Sequence, residues 1–270
     1  MNPLDLGGHT LPLGGVTHVM QVINLSPESQ QKHTVVAGPD EALELALRGR
    51  EAGVSLIDLG GQSSHYDNPT IAIREELSRL LPALDLLVDR DFLVSVDTWK
   101  PEVAARALGA GAVLVNDTGG LADPDMRHAV ATSKSAAIVM YVEGANPHDV
   151  GEIVIASDKA QRTAKWMDAR LAELAAEEIT NVILDPGIAI NYRGDYLAYT
   201  AMQLEVIRCI DVLRRFQRPI LIPIPRKRED HRVMAYIAMA LEYGADMIRV
   251  HDPVEACDLA RLFGRLGAAT

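Results

Sequence analysis

Aromatic residues are scarce in this chain: Phe, Trp and Tyr make up 4% of its 270 residues. A core with so few rings must rest on Ala, Val, Leu and Ile, and apolar residues do reach 48%, enough for a sizeable interior. Cysteine is almost absent. Cys209 and Cys257 lack metal-ligand spacing and fall in segments of helical character, so buried reduced thiols are expected rather than a disulfide framework or a zinc site. Positive charge is outnumbered, with 26 Lys and Arg against 37 Asp and Glu, a net charge of −11. That balance argues against nucleic acid or an anionic membrane as partner, but leaves room for a small basic pocket. No uninterrupted apolar stretch reaches the length of a membrane span. The opening MNPLDLGGHTLPLGG has no basic region followed by an apolar run, so no signal peptide is expected and the cytoplasm is the expected location. G-x-G-x-x-G does not follow the first apolar run, and the glycine-rich GGQSSH at 60–65 lacks the Lys-Ser/Thr ending of a phosphate-binding P-loop.

What the chain does have is a series of short apolar runs bounded by Gly, Pro, Asn or Asp, as buried parallel strands are. They are predicted at about 17–23, 55–59, 92–96, 113–116, 136–142, 181–185, 219–224 and 246–250. Helical segments alternate with them. Pro39-Asp40-Glu41 and Pro101-Glu102 start two helices with proline and acid in the first turn, and Asp123 is a predicted N-cap before Pro124. EAGVSLID, GAGAVLVND and EYGADMIRV share one pattern of helix end, glycine and buried strand, which wants left-handed residues at Gly53, Gly111 and Gly244. Strand–helix units in series predict an α/β fold, a single (β/α)8 TIM barrel over residues 1–270; an open doubly wound sheet is the main alternative. The polar segment 144–156, with Asn146-Pro147-His148, is predicted as an external loop.

Polar residues end several of these runs: Asp97, Asn116, Asp185, Lys227 and Arg249 follow or close LVSV, AVLV, VIL, LIPIPR and MI. In a closed parallel barrel, the C-terminal ends of different strands face one mouth, so two carboxylates, an amide and two cations would meet a single small ligand. Each residue also has a plainer role. Asp97 could cap the following helix, Asp185 could close an Asp-Pro-Gly turn, and the Arg226-Lys227-Arg228 cluster could be a solvated loop. Taken together, an Asp–Asn–Asp set can pair with the amino-pyrimidinone edge of a pterin, and a guanidinium can stack on a flat ring. Asn24, just after the first run, could offer an amide oxygen to a hard cation, and His251 could donate to a phosphate oxygen.

The ordered set resembles the dihydropteroate synthase family of folate synthesis, from about residue 17 to residue 263. INLSPES is similar to the family's N-x-T-P-D-S loop and IDLGGQSSH to D-x-G-G-E-S-T-R. SVDTWKPEVA, VNDTGGLADPDM, ILDPGI, PRK and RVHD are similar to the later motifs, in the family's order. The resemblance implies that Asp97, Asn116 and Asp185 bind the pterin edge, Lys227 its polar face, and that Arg249 stacks on it. It also implies that Asn24, Ser64, Arg249 and His251 hold a diphosphate, with Mg2+ near Asn24. A homodimer through barrel helices is implied as well. The reaction implied is displacement of diphosphate from the pterin's methylene carbon by an aromatic amine such as p-aminobenzoate, with no protein nucleophile.

Departures gather on the amine side. The first loop runs Glu28-Ser29-Gln30-Gln31-Lys32 without the family's aromatic, the second has Gln62, Ser64 and His65 for Glu, Thr and Arg, and Arg228 stands where a serine is usual. Ile188 to Tyr192 and Met140 to Gly144 also differ from the family pattern. Three activities therefore fit: the transferase, a pterin- or folate-binding paralogue without turnover, and a folate-dependent methyltransferase on the same barrel.

Overall fold

The computed structural model describes residues 3–29, 32–150, 152, 155–190, 196–225 and 230–267. Eight parallel strands form one sheet: β3 (His18–Asn24), β4 (Leu56–Gly60), β5 (Val94–Asp97), β6 (Leu114–Asp117), β7 (Ala136–Met140), β8 (Val182–Asp185), β9 (Leu221–Pro223) and β10 (Met247–Val250). Their order is β8-β7-β6-β5-β4-β3-β10-β9, so each strand pairs with its sequence neighbour and β10 returns to β3, as in a barrel. The β8–β9 seam is the weak one. It is held by a bridge between Leu184 and Ile220, with the Leu184 N–H donating to the Pro219 carbonyl at 2.8 Å. Pro219 and Pro223 cannot donate to a ladder, which explains why this seam stops at a bridge.

Helices α1 (Pro39–Ala52), α2 (Ile73–Val88), α3 (Pro101–Gly109), α4 (Pro124–Ser133), α5 (Lys159–Ala176), α6 (Tyr196–Arg208), α7 (Asp211–Arg214), α8 (Asp230–Glu242) and α9 (Pro253–Leu262) lie between and after the strands. The proline starts at 39, 101 and 124 are helix starts, and Asp123 accepts from the Asp125 N–H at 2.8 Å as an N-cap. Gly53, Gly111 and Gly244 all have positive φ. Each strand lies within about two residues of its predicted position. Cys257 is buried in α9, whereas Cys209 falls one residue past the end of α6, in the turn to α7, and both thiols are free.

One element was not foreseen. β1 (Leu4–Leu6) and β2 (His9–Leu11) form an antiparallel hairpin about Gly7-Gly8, with both glycines at positive φ. Leu4, Leu6 and Leu11 pack against the inward side chains Met20, Leu56, Leu114, Ile138, Ile183, Leu221 and Met247, plugging the end of the barrel opposite the strand C-termini. A second, larger cluster joins the outward strand faces to the helices. No helix among the described residues is long and apolar enough to cross a membrane.

Candidate functional site

The open end of the barrel is where the polar residues collect. Cross-strand register places Asn24 beside Gly60, Gly60 beside Asp97, and Asp97 beside Asn116, so these positions share one level and one face. Arg249 is the centre of the arrangement. Its Nε donates to Asp58 Oδ2 at 2.6 Å and a terminal nitrogen donates to Asp97 Oδ2 at 2.6 Å, tying β10 to β4 and β5. The same Asp58 oxygen accepts from Asn116 Nδ2 at 3.0 Å. Burial works against the Arg249 charge, but Asp58 and Asp97 more than reverse this, so its pKa is raised.

Asp97 is therefore more than a turn residue. The N-cap of α3 is Lys100, with no side-chain cap bond, and the Asp97 carboxylate holds Arg249. Asp185 does close its turn, accepting from the Gly187 N–H at 2.7 Å, and it also lies within the field of Arg249 and Asp97. Its pKa is pushed up to about 7, chiefly by burial and further by Asp97, against the opposing pull of the Gly187 N–H and Arg249. Three buried or nearly buried acids thus share one cation among the described residues. A neutral ligand edge carrying several N–H donors suits such a site better than an anionic edge would.

Asn24 ends β3, and its Nδ2 donates to Thr34 Oγ1 at 2.7 Å. That bond sets the amide orientation and turns Oδ1 toward Gly60, where an added Cβ would lie 3.5 Å away. The described residues hold no cluster of His, Cys, Asp and Glu able to cage a metal ion. A Mg2+ held by one amide oxygen and by diphosphate oxygens and water needs no such cage, so Asn24 fits that kind of site. Ser64 lies half-buried in the loop after β4, and His251 half-buried just beyond β10. Lys227, with Arg226 and Arg228, lies outside the described residues, as do Gln30, Gln31, Asn191 and Tyr192.

Asp58 is the site residue that sequence reasoning missed. It is fully buried in the middle of an apolar strand, and its second oxygen, Oδ1, has no partner among the described residues. Its register neighbour Ser95 is equally buried, and its hydroxyl has no partner among the described residues. A carboxylate inside SLIDLGG was a visible signal, because an unpaired charge in a buried strand demands a cation from elsewhere.

The altered second loop, 61–72, is also held by specific bonds. Gln62 Oε1 accepts from Lys100 Nζ at 2.5 Å. Lys100 already pairs with the buried Glu76 at 2.8 Å, and Glu76 also accepts from Thr98 Oγ1 at 2.8 Å. One cation there is matched by one carboxylate, and the neutral Gln62 adds no second negative charge. In the first loop, Glu28 pairs with Arg79 at 3.1 Å.

A family described as pterin binding enzyme matches residues 20–251. The chain is 30% identical over 272 residues to the dihydropteroate synthase of Synechocystis sp., covering 94% of this chain and 91% of that protein. It is 33% identical over 264 residues to a probable bifunctional folylpolyglutamate synthase/dihydropteroate synthase of Haloferax volcanii, covering 93% of this chain. The chain spans only 31% of the length of that bifunctional relative. Among solved structures, the Yersinia pestis dihydropteroate synthase in a sulfonamide drug complex superposes with a TM-score of 0.85 at 27% identity, covering 97% of both chains. The Xanthomonas albilineans dihydropteroate synthase in complex with 7,8-dihydropteroate gives 0.79 at 26% identity, covering 98% of both.

Proposed function

Since the chain belongs to the dihydropteroate synthase family of pterin-binding enzymes, we propose that it is a transferase joining a pterin diphosphate to an aromatic amine such as p-aminobenzoate in folate biosynthesis. The observation that carries this reading is Arg249 braced between Asp58 and Asp97, beside a buried Asp185 that favours contact with N–H donors. The amino-pyrimidinone edge of a pterin offers such donors in one plane. Asp97, Asn116 and Asp185 are its proposed partners, with Lys227 on the polar face of the ring and Arg249 stacked on it. The Xanthomonas albilineans relatives with bound 7,8-dihydropteroate and with 4-aminobenzoic acid support the two substrate classes.

In the proposed reaction the methylene carbon–oxygen bond breaks, and its electron pair leaves with the diphosphate. The amine nitrogen forms the new bond to that carbon and gives one proton to the diphosphate or to solvent. Asn24, Ser64, Arg249 and His251 are the proposed holders of the diphosphate, and Asn24 of its Mg2+, which would neutralise charge on the leaving group. The bonds to Asp58 and Asp97 hold the Arg249 guanidinium in one orientation, which is what such a step requires. A cytoplasmic, one-domain homodimer belongs to the same proposal. The hairpin plug joins the N-terminal residues to the barrel core, and exposed Leu197 on α6 and Leu262 on α9 are apolar surface that a second copy could cover.

The test is diphosphate release from 6-hydroxymethyl-7,8-dihydropterin diphosphate with Mg2+, with and without p-aminobenzoate. Release that requires the amine is expected. Absence of release from folded protein would contradict the transferase and favour the pterin- or folate-binding paralogue.

A further inference from the structure

The segment 141–150 after β7 is held together by specific bonds. At its base, Glu143 Oε1 accepts from the Tyr141 hydroxyl at 2.9 Å and from Lys159 Nζ at 2.7 Å, with Lys159 itself buried. Further out, Gly144 bridges Val150, the His148 N–H donates to Asn146 Oδ1 at 2.9 Å, and the Asp149 N–H donates to the Asn146 carbonyl at 3.0 Å. His148 sits at the tip. Its ring lies against Trp99, with centroids 4.8 Å apart, in the turn that follows β5.

Both ring nitrogens of His148 reach the second loop, at opposite ends of it. Nε2 is 2.9 Å from the Ser63 carbonyl and Nδ1 is 3.0 Å from Thr70 Oγ1. A carbonyl only accepts, so Nε2 carries a proton and donates; in the neutral ring Nδ1 then accepts from the Thr70 hydroxyl. One imidazole therefore closes the mouth of the segment 63–70. Lys100 reinforces the same segment just outside those points, donating to Gln62 Oε1 and to the Ile71 carbonyl at 2.6 Å. Between the clamped ends lie Ser64 and the stacked pair His65 and Tyr66, whose ring centroids are 4.6 Å apart.

We infer that His148 is a positioning residue: it staples the 61–72 loop in place at the barrel mouth and, on the functional reading above, sets the affinity for the aromatic amine. Loop two is where the amine side of this chain is rebuilt, and a loop held in advance loses less conformational freedom when that substrate binds. The pterin ring edge is held by strand ends that His148 does not touch, whereas Ser64, a proposed holder of the diphosphate, lies inside the stapled loop, so the effect should spare the affinity for a pterin without diphosphate.

The test compares wild type, His148→Ala and His148→Gln. Amide hydrogen exchange in the free protein is expected to speed up at least about tenfold across 62–71 in His148→Ala, the scale of one to two lost hydrogen bonds. His148→Gln retains an N–H donor for Ser63 and should restore most of the protection. In turnover, the KM for p-aminobenzoate should rise about tenfold in His148→Ala, with the affinity for 6-hydroxymethyl-7,8-dihydropterin, which has no diphosphate, within about twofold of wild type. Unchanged loop exchange in His148→Ala, or a fall in 6-hydroxymethyl-7,8-dihydropterin affinity equal to the rise in the p-aminobenzoate KM, would overturn the proposal. A wild type without turnover whose loop still loosens in His148→Ala would leave the staple standing and overturn the transferase reading instead.

Discussion

Pterin binding should expel a proton from Asp185. In the ligand-free protein its pKa is pushed up from 3.8 to about 7, first by burial. At about 1.4 kcal/mol per tenfold, holding the carboxylate ionised there costs roughly 4 kcal/mol relative to water. A ligand edge that donates to the carboxylate favours the ionised form, so only that fraction of the protein is competent, and the apparent Kd is the intrinsic Kd divided by it. About half the protein is competent at pH 7 and about a tenth at pH 6, so affinity should fall about tenfold from pH 8 to pH 6, or about 1.4 kcal/mol. Calorimetry with 6-hydroxymethyl-7,8-dihydropterin, which has no phosphate to titrate and keeps its ring N3–H over this pH range, reads this directly. In buffers of different ionisation heat, nearly one proton should be released per pterin at pH 6 and nearly none at pH 8. Asp185→Asn should abolish that dependence and weaken binding at pH 8 by about 1–3 kcal/mol. Stability without ligand should move oppositely. A carboxyl whose folded pKa is raised contributes stability that is present below pH 3.8 and lost as pH rises through about 7. Proton release that is absent at pH 6, or identical in Asp185→Asn, would refute this account.

Three further outcomes follow from the same geometry. Asp58→Ala strips Arg249 and Asn116 of a buried partner and should destabilise the fold by about 3–5 kcal/mol in urea unfolding; a loss under about 1 kcal/mol would contradict the bracing role. Gly187 has φ 69°, and an added Cβ would lie 1.8 Å from the Tyr141 carbonyl oxygen, so Gly187→Ala should lower the thermal midpoint through about 2 kcal/mol or more of strain. An unchanged midpoint would mean that the turn yields freely. Chelation of Mg2+ should stop diphosphate release while leaving 6-hydroxymethylpterin affinity within about twofold, since the edge-binding residues need no metal; parallel loss of both would place the metal elsewhere.

The barrel was legible because its strands carry their burial in their composition. Runs such as LVSV and AVLV end on a polar residue, and glycine-marked helix ends precede several of them. The hairpin escaped notice because three-residue strands are too short to show a period, although Gly7-Gly8 between LDL and HTL was a turn signal. At the site, sequence offered Asp97 two roles, and only the return of Arg249 from β10 shows which one its carboxylate takes. Asp58 looked like part of an apolar run until that same guanidinium was placed against it. His148 was legible only as part of a polar external loop, since its contact with Ser63 spans 85 positions and the 144–156 segment belongs to none of the motifs that carry the resemblance.

On the proposed reading, this mouth forms a carbon–nitrogen bond as diphosphate departs. The most direct test is mass spectrometry of the products from 6-hydroxymethyl-7,8-dihydropterin diphosphate and p-aminobenzoate labelled with nitrogen-15 at the amine. Dihydropteroate carrying the label is expected, one molecule for each diphosphate released. Diphosphate released with only a hydrolysed pterin, or substrate bound and recovered unchanged, would contradict that reading.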